Sequence, residues 1–495
     1  MQLRSDPFEA RAEVKPVLRV SILLISFVAL GLRFIHLEAD FPPGINWSGD
    51  LYTDEGWYSN NAIARQLTGQ WTIEGDFNPI VTLPVFNVTQ AAAFSVLGLS
   101  LTTARITEVI FSILVCVFAY LLVARLGGPL PGLVTLLLLS TNFTLFAFSR
   151  LAILDLPMTA FTLMSFLLAT SRRWTWTVNV SVASFAFCLA ALTKTTALFG
   201  LPSLVYLIWT SQPTLRKGLL AACVCLASIA LLLGTYYVAA SAVFPEAISM
   251  FVSTEFLPRL EWTLPAVVKA LARAVWNGTV LDRIVYPLTL LSLPLFLVGS
   301  QRVQKNRLAV AFSIGLLISF IALGVRGYLP PRYYLPLIVP VVSLFGIMSV
   351  DAFRKLRPSR WSYAPAVLAV GIAAVHLLNI ARYLSSPEFT FVEMAGDVKE
   401  RIDSDKGDNL LIGNMANSIT LTTGIPSINS VLGIRDLRWK ALTYRPTYYI
   451  ALGEEKETAR QLSEMYYLEE LSAYDVFGNY YDEKRVHLYK LVMKP

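Results

Sequence analysis

What this chain has little of is charge. Only 15% of its 495 residues are Asp, Glu, Lys or Arg, against about a quarter in soluble globular domains. With 55% hydrophobic residues and a mean hydropathy of +0.56, an ordinary water-soluble fold is excluded and lipid is the expected solvent. Histidine is scarcer still. His36, His376 and His487 are the only three and lie far apart, which argues against a His-based metal centre. The four cysteines, Cys116, Cys188, Cys223 and Cys225, all fall in apolar runs, so no disulfide framework is implied. A Gly-rich phosphate loop, an internal repeat and low-complexity tracts are also missing, which leaves a dinucleotide-binding or P-loop enzyme unsupported.

Apolar runs long enough to cross a bilayer are abundant. They predict about eleven spanning helices, at 17–35, 101–124, 131–148, 154–170, 176–192, 195–210, 218–240, 284–299, 308–325, 333–350 and 361–383. The first lacks the small-residue exit of a cleaved signal and reads as an anchor. Basic residues give the orientation, because Lys and Arg are retained on the cytoplasmic side. Arg4, Arg11 and Lys15, then Arg172-Arg173, Arg216-Lys217, Arg302 with Lys305 and Arg307, and Arg354 to Arg360 all fall on one side of this arrangement. The N-terminus is therefore expected in the cytoplasm of a multi-pass inner or plasma membrane protein.

The opposite, extracytoplasmic side receives 36–100, 241–283 and the C-terminal part. Residues 385–495 hold 13 basic and 17 acidic side chains, leaving 28 and 17 in residues 1–384. This split predicts a transmembrane domain over 1–384 and a small soluble α/β domain over 385–495. In the latter, Phe391, Met394, Val398 and Ile402 mark one helix face, while 409–412, 447–452 and 486–492 read as strands. The positive charge of the membrane part sits in short anchoring loops, not on a nucleic-acid surface. Within 36–100, two helices are expected along the membrane interface, the second (83–99) capable of shallow re-entry.

Four groups on the outer side could carry chemistry. Asp54-Glu55 follows the first span; Asp54 could serve as a helix cap, as a general base, or as both. Arg150 and Asp155 share a turn between two spans, where Asp155 with Pro157 suits a helix start and Arg150 could reach headgroups. Lys194 ends a span on the side where lysine is less expected, either as an interfacial anchor or as a functional cation. Arg326 and Arg332-Tyr333 lie in another outer turn, with aromatic anchoring as the plain alternative. Arg105 and Glu108, three apart, are expected to form a local ion pair. Together, acids and cations from separate turns on one membrane face suit a lipid-linked phosphate and an incoming hydroxyl.

The order of Asp54-Glu55, Arg150 to Asp155, Ala191-Leu192-Thr193-Lys194-Thr195 and Arg332-Tyr333-Tyr334-Leu335-Pro336 resembles the GT-C glycosyltransferases. The likeness is to the protein O-mannosyltransferase, aminoarabinose-lipid A transferase and rhizobial lipopolysaccharide sugar transferase groups, and it covers roughly residues 17–350. The resemblance implies transfer of a sugar from a polyprenyl-phosphate carrier, with inversion, to an extracytoplasmic protein, lipid or polysaccharide. It implies Asp54 as catalytic carboxylate, Glu55 orienting sugar or acceptor, Arg150 and Asp155 supporting the cavity, and Lys194 on the donor phosphate. Arg332, Tyr333 and Arg326 would be further donor contacts. The soluble tail departs from the aminoarabinose-type pattern of additional helices.

No cofactor is required by this chemistry. A divalent ion lacks a compelling ligand set, since Asp54, Glu55 and Asp155 alone do not define one. A transporter or flippase of a lipid-linked or amphipathic substrate is the alternative of a different class. It predicts mid-span charges and symmetric halves, neither of which is evident. A polyprenyl-dependent ligase or polymerase predicts its large outer loop between late spans, whereas here the acidic loop follows the first.

Overall fold

A computed structural model describes residues 16–46, 51–171, 173–255, 263–285, 287, 305–324, 330–356, 359–405, 407, 409–453, 455–477 and 485–495. Apolar segments in lipid must satisfy their own backbone polar groups, which favours helices. The chain accordingly opens with α1 (Pro16–Gly31), α2 (Leu51–Thr68), α3 (Pro79–Thr82), α4 (Pro84–Leu97), α5 (Leu101–Gly127), α6 (Pro129–Thr141), α7 (Phe143–Phe148) and α8 (Asp155–Ala169). It continues through α9 (Trp176–Ala191), α10 (Leu201–Thr210), α11 (Leu215–Val243), α12 (Pro245–Glu255), α13 (Leu264–Leu281), α14 (Arg307–Gly324), α15 (Ile338–Lys355) and α16 (Ala364–Ser385).

Among the described residues, five stretches are long and apolar enough to cross a bilayer: Pro16–Phe34, Leu101–Gly127, Leu215–Val243, Pro331–Lys355 and Ala364–Asp403. The other predicted spans meet shorter apolar helices, so the expected count of about eleven is met only in part. The span at 284–299 lies almost wholly outside the described residues. The one at 131–148 breaks at Asn142, whose side chain accepts from the Leu145 N–H at 2.7 Å and so starts a new helix. Val17, Phe27, Leu231, Val238 and Val367 point outward with most of their surface uncovered. In this multi-pass protein that surface faces lipid. Inside, α5 packs on α6 and α8, and α8 on α9.

The C-terminal part comprises α17 (Thr390–Asp403), β1 (Leu411–Gly413), α18 (Ala416–Thr423), β2 (Ser427–Asn429), α19 (Leu437–Tyr444), β3 (Tyr448–Leu452), α20 (Lys456–Ser463), β4 (Tyr466–Tyr474) and β5 (Val486–Met493). Its sheet runs in the order β2-β1-β3-β5-β4. Strand β1 is parallel to β2 and β3, and β5 is antiparallel to β3 and β4. Phe391, Met394, Val398 and Ile402 are buried along α17, as expected.

This domain is bound tightly to the loop after α1. The Asp40 carboxylate accepts from the Thr390 and Phe391 N–H groups at 3.0 and 3.2 Å and from the Thr390 hydroxyl at 2.6 Å, capping α17. Asp76 meets Lys440 at 2.7 Å with both side chains fully buried. Tyr52 stacks on Phe477, and helix α2 lies against α18.

Candidate active site

Asp54 lies within the first turn of α2, which begins at Leu51, so it does not cap the helix. An acid in a first turn is favoured by the helix dipole. Its carboxylate forms an ion pair with Arg332, and both side chains are buried. Arg332 comes from the short 3-10 turn Pro331–Leu337 that precedes α15. Pro331 at its start and Pro336 inside it keep this stretch from continuing as an α-helix. On its other side the Arg332 guanidinium stands 5.7 Å from the centroid of the Tyr333 ring.

Tyr333 links this pair to a second one. The Nζ of Lys194 is 4.4 Å from the same ring centroid and 2.7 Å from Oδ1 of Asp155. Asp155 begins α8, and Lys194 lies three residues beyond the end of α9, where its N–H bonds back to the Ala190 carbonyl at 3.0 Å. The site is thus a row: Asp54, Arg332, Tyr333, Lys194, Asp155. Each buried cation is matched by a carboxylate, which avoids the desolvation cost of an unpaired charge.

Glu55 faces away from this row. Its Oε1 accepts from Arg105 Nε at 2.9 Å and from the Ala152 N–H at 2.8 Å, and its Oε2 from an Arg105 terminal nitrogen at 2.7 Å. Arg105 also donates to the Leu37 and Ala39 carbonyls. The expected Arg105–Glu108 pair is therefore not formed: the bidentate fork of Arg105 fits Glu55, whose two oxygens lie side by side. Glu108 is fully buried, and neither carboxylate oxygen has a hydrogen-bond partner among the described residues.

Arg150 does not reach headgroups either. Its guanidinium is buried against the Arg33, Ile35 and His36 carbonyls and lies 5.2 Å from the Phe146 and Tyr383 ring centroids. It fixes the end of the first span beneath the outer loop and makes no contact with the Asp54 row. Arg326 lies outside the described residues.

Tyr58 stands four residues after Asp54 on the same face of α2, a spacing that is the only signal the sequence offers for it. Burial first, then the charges of Asp54 and Tyr333, push its phenol well above the usual range, so it remains a neutral hydrogen-bond donor beside the row. Beside Tyr333 an apolar groove of about 90 Å³ opens between α8, α10, α14 and α15, lined by Met158, Leu163, Phe166, Phe312 and Leu323.

Residues 79–237 match the family model for dolichyl-phosphate-mannose-protein mannosyltransferase. The whole architecture superposes on ArnT from Cupriavidus metallidurans in the apo state, at 14% identity over 96% of this chain and 97% of that one, with a TM-score of 0.58. The chain therefore shares the fold of ArnT, and about a third of it matches the mannosyltransferase family model. The undecaprenyl phosphate-bound form of the same ArnT matches at 15% identity over 95% and 97% of the two chains, again with a TM-score of 0.58. The likeness of fold extends to the archaeal oligosaccharyltransferase AglB from Archaeoglobus fulgidus, solved with an inhibitory peptide and a dolichol-phosphate. There the identity is 12% over 92% of this chain and 73% of that chain, with a TM-score of 0.54. No curated protein matches by sequence.

Proposed function

We propose that this protein is a GT-C glycosyltransferase that moves one sugar from a polyprenyl-phosphate donor to an extracytoplasmic acceptor, with inversion at the anomeric carbon. The observation that carries the reading is the row of alternating acids and cations at the head of an apolar groove. The ArnT form bound to undecaprenyl phosphate supports a polyprenyl phosphate as the occupant of such a groove.

In this reading the isoprenoid lies against Met158, Phe166 and Phe312, and its phosphate competes with Asp155 for Lys194 and with Asp54 for Arg332. Displaced from its cation, Asp54 becomes the more basic carboxylate and is free to accept a proton. The acceptor oxygen attacks the anomeric carbon, its proton passes to Asp54, and the bond from that carbon to the phosphate oxygen breaks. The electron pair leaves with the phosphate, where Lys194 and Arg332 hold the charge. Such fixed charges in a dry site contribute roughly 3–4 kcal/mol each to barrier lowering. Tyr58 is placed to donate a hydrogen bond to the sugar or the acceptor, and Glu55, held by Arg105 and the Ala152 N–H, fixes the turn that carries Asp54. Lys194 and Arg332 supply the cations that a metal ion would otherwise provide. Asp54, the row and the soluble domain belong to the extracytoplasmic face, with the N-terminus in the cytoplasm.

The test is reconstitution of the purified chain in nanodiscs with a panel of radiolabelled polyprenyl-phosphate hexoses and pentoses. Transfer of label to an envelope extract, or slow release of free sugar, supports the reading. Failure with every donor, together with movement of intact donor between leaflets, would replace it with the flippase reading. Glycan analysis of a deletion strain identifies the acceptor class, since a single-sugar transferase removes one residue from an otherwise intact polymer.

A further inference from the structure

We propose that the C-terminal domain is a working part of the reaction centre, with Ser418 and Asn417 of α18 as positioning residues for Asp54. This rests on the role given to Asp54 above.

The two residues meet α2 at the turn that carries the acid. The Gly56 N–H donates to Ser418 Oγ at 3.2 Å, and the same hydroxyl donates to the Thr53 carbonyl at 3.3 Å. One hydroxyl therefore binds the backbone on both sides of Asp54-Glu55. Ser418 is only 2% exposed, so water does not substitute for these bonds. One turn further on, Asn417 Nδ2 donates to Asn60 Oδ1 at 2.8 Å, and the Trp57 indole donates to the Asn414 carbonyl at 2.7 Å.

Close approach at this junction depends on Gly56. A Cβ there would lie 2.2 Å from the Ser418 nitrogen and 2.4 Å from the Asn417 carbonyl carbon. Backbone therefore rests on backbone, and α18 cannot shift without moving α2. On the opposite side Glu55 is fixed to Arg105 and to the Ala152 N–H. The turn is held between the transmembrane bundle and the soluble domain, and Asp54 projects from it toward Arg332. Misplacing a reacting group by about 1 Å can cost on the order of 100-fold in rate, so the domain is positioned to set turnover without touching the donor.

The experiment compares Ser418→Ala and Asn417→Ala with the full-length protein in nanodiscs, using Arg460→Ala on the exposed face of α20 as control. Hydrogen exchange of amides 52–61 is read alongside kcat and donor KM. The expected result is faster exchange confined to 52–61 and a kcat lower by roughly tenfold or more, with donor KM within about twofold and Arg460→Ala unchanged. Unchanged exchange in both variants overturns the proposal. So does exchange that rises throughout the C-terminal domain, since Ser418 would then serve only to hold that domain together. A wild-type protein without transfer activity would instead count against the glycosyltransferase reading, and exchange alone would then decide the clamp.

Discussion

Arg332 closes on Asp54 as a buried ion pair, although one belongs to the turn before α15 and the other to the first turn of α2. Removing one member of such a pair strands its partner in a low-dielectric site, at about 3–5 kcal/mol. Arg332→Met should therefore lower the melting temperature in detergent and abolish transfer. Adding Asp54→Leu should recover most of the stability and none of the activity. Recovery of activity in the double variant would show that the pair serves only the fold.

Tyr333 presents its ring to both Lys194 and Arg332. Cation–π contacts contribute about 0.5–2 kcal/mol, so Tyr333→Leu should weaken polyprenyl phosphate binding by about 2- to 30-fold. Tyr333→Phe keeps the ring and should bind within about twofold of wild type. Equilibrium binding of undecaprenyl phosphate separates the two, and equal losses would assign the effect to the hydroxyl.

Asp76 and Lys440 form a fully buried ion pair that joins the segment between α2 and α3 to the C-terminal sheet and its helices. Burial raises the Asp76 carboxyl above its usual range despite the opposing charge of Lys440. Lys440→Met alone should cost on the order of 3–5 kcal/mol. Asp76→Asn added to it should return part of that loss. Limited proteolysis between the membrane part and the domain reports it, and additive losses would mean the pair is not coupled.

Gly56→Ala places a methyl group inside the van der Waals radius of the α18 backbone. Overpacking of this kind costs about 1–3 kcal/mol. The melting temperature should fall and exchange should rise on both α2 and α18. An unshifted melting temperature would mean that the two helices are less closely apposed than their backbone contacts indicate.

Chelation gives a separate outcome. Among the described residues no three His, Cys, Asp or Glu side chains converge, and Lys194 with Arg332 already supply positive charge. Incubation with EDTA followed by desalting should leave the transfer rate unchanged. A rate restored only by added divalent cation would require a metal role that this mechanism does not contain.

Much of the arrangement was legible in the sequence, because hydropathy reports lipid exposure directly. The ends of α1, α5, α8 and α9 fall within a few residues of their expected positions, and Asp54, Asp155, Lys194, Arg332 and Tyr333 do meet. What the sequence could not supply was pairing. Arg105 has Glu108 three residues away, yet it reaches back to Glu55, because tertiary geometry offers a bidentate partner that helix spacing does not. Arg150 reads as a headgroup contact but is consumed by backbone carbonyls at the end of the first span. Strands β2 and β4 went unread for different reasons. The first is only three residues long, and the second carries Glu469 and Glu470 with a register shift between Glu470 and Ser472. Ser418 had no sequence signal at all, since its role follows from docking alone.

The most direct test of the account is single-turnover transfer from a radiolabelled polyprenyl-phosphate sugar by Asp54→Asn, in parallel with binding of the same donor. Asparagine keeps the shape and removes the base. The account predicts donor binding within about tenfold of wild type and a chemical step slower by roughly 100- to 10,000-fold, the usual contribution of a general base. A chemical step at the wild-type rate would contradict it.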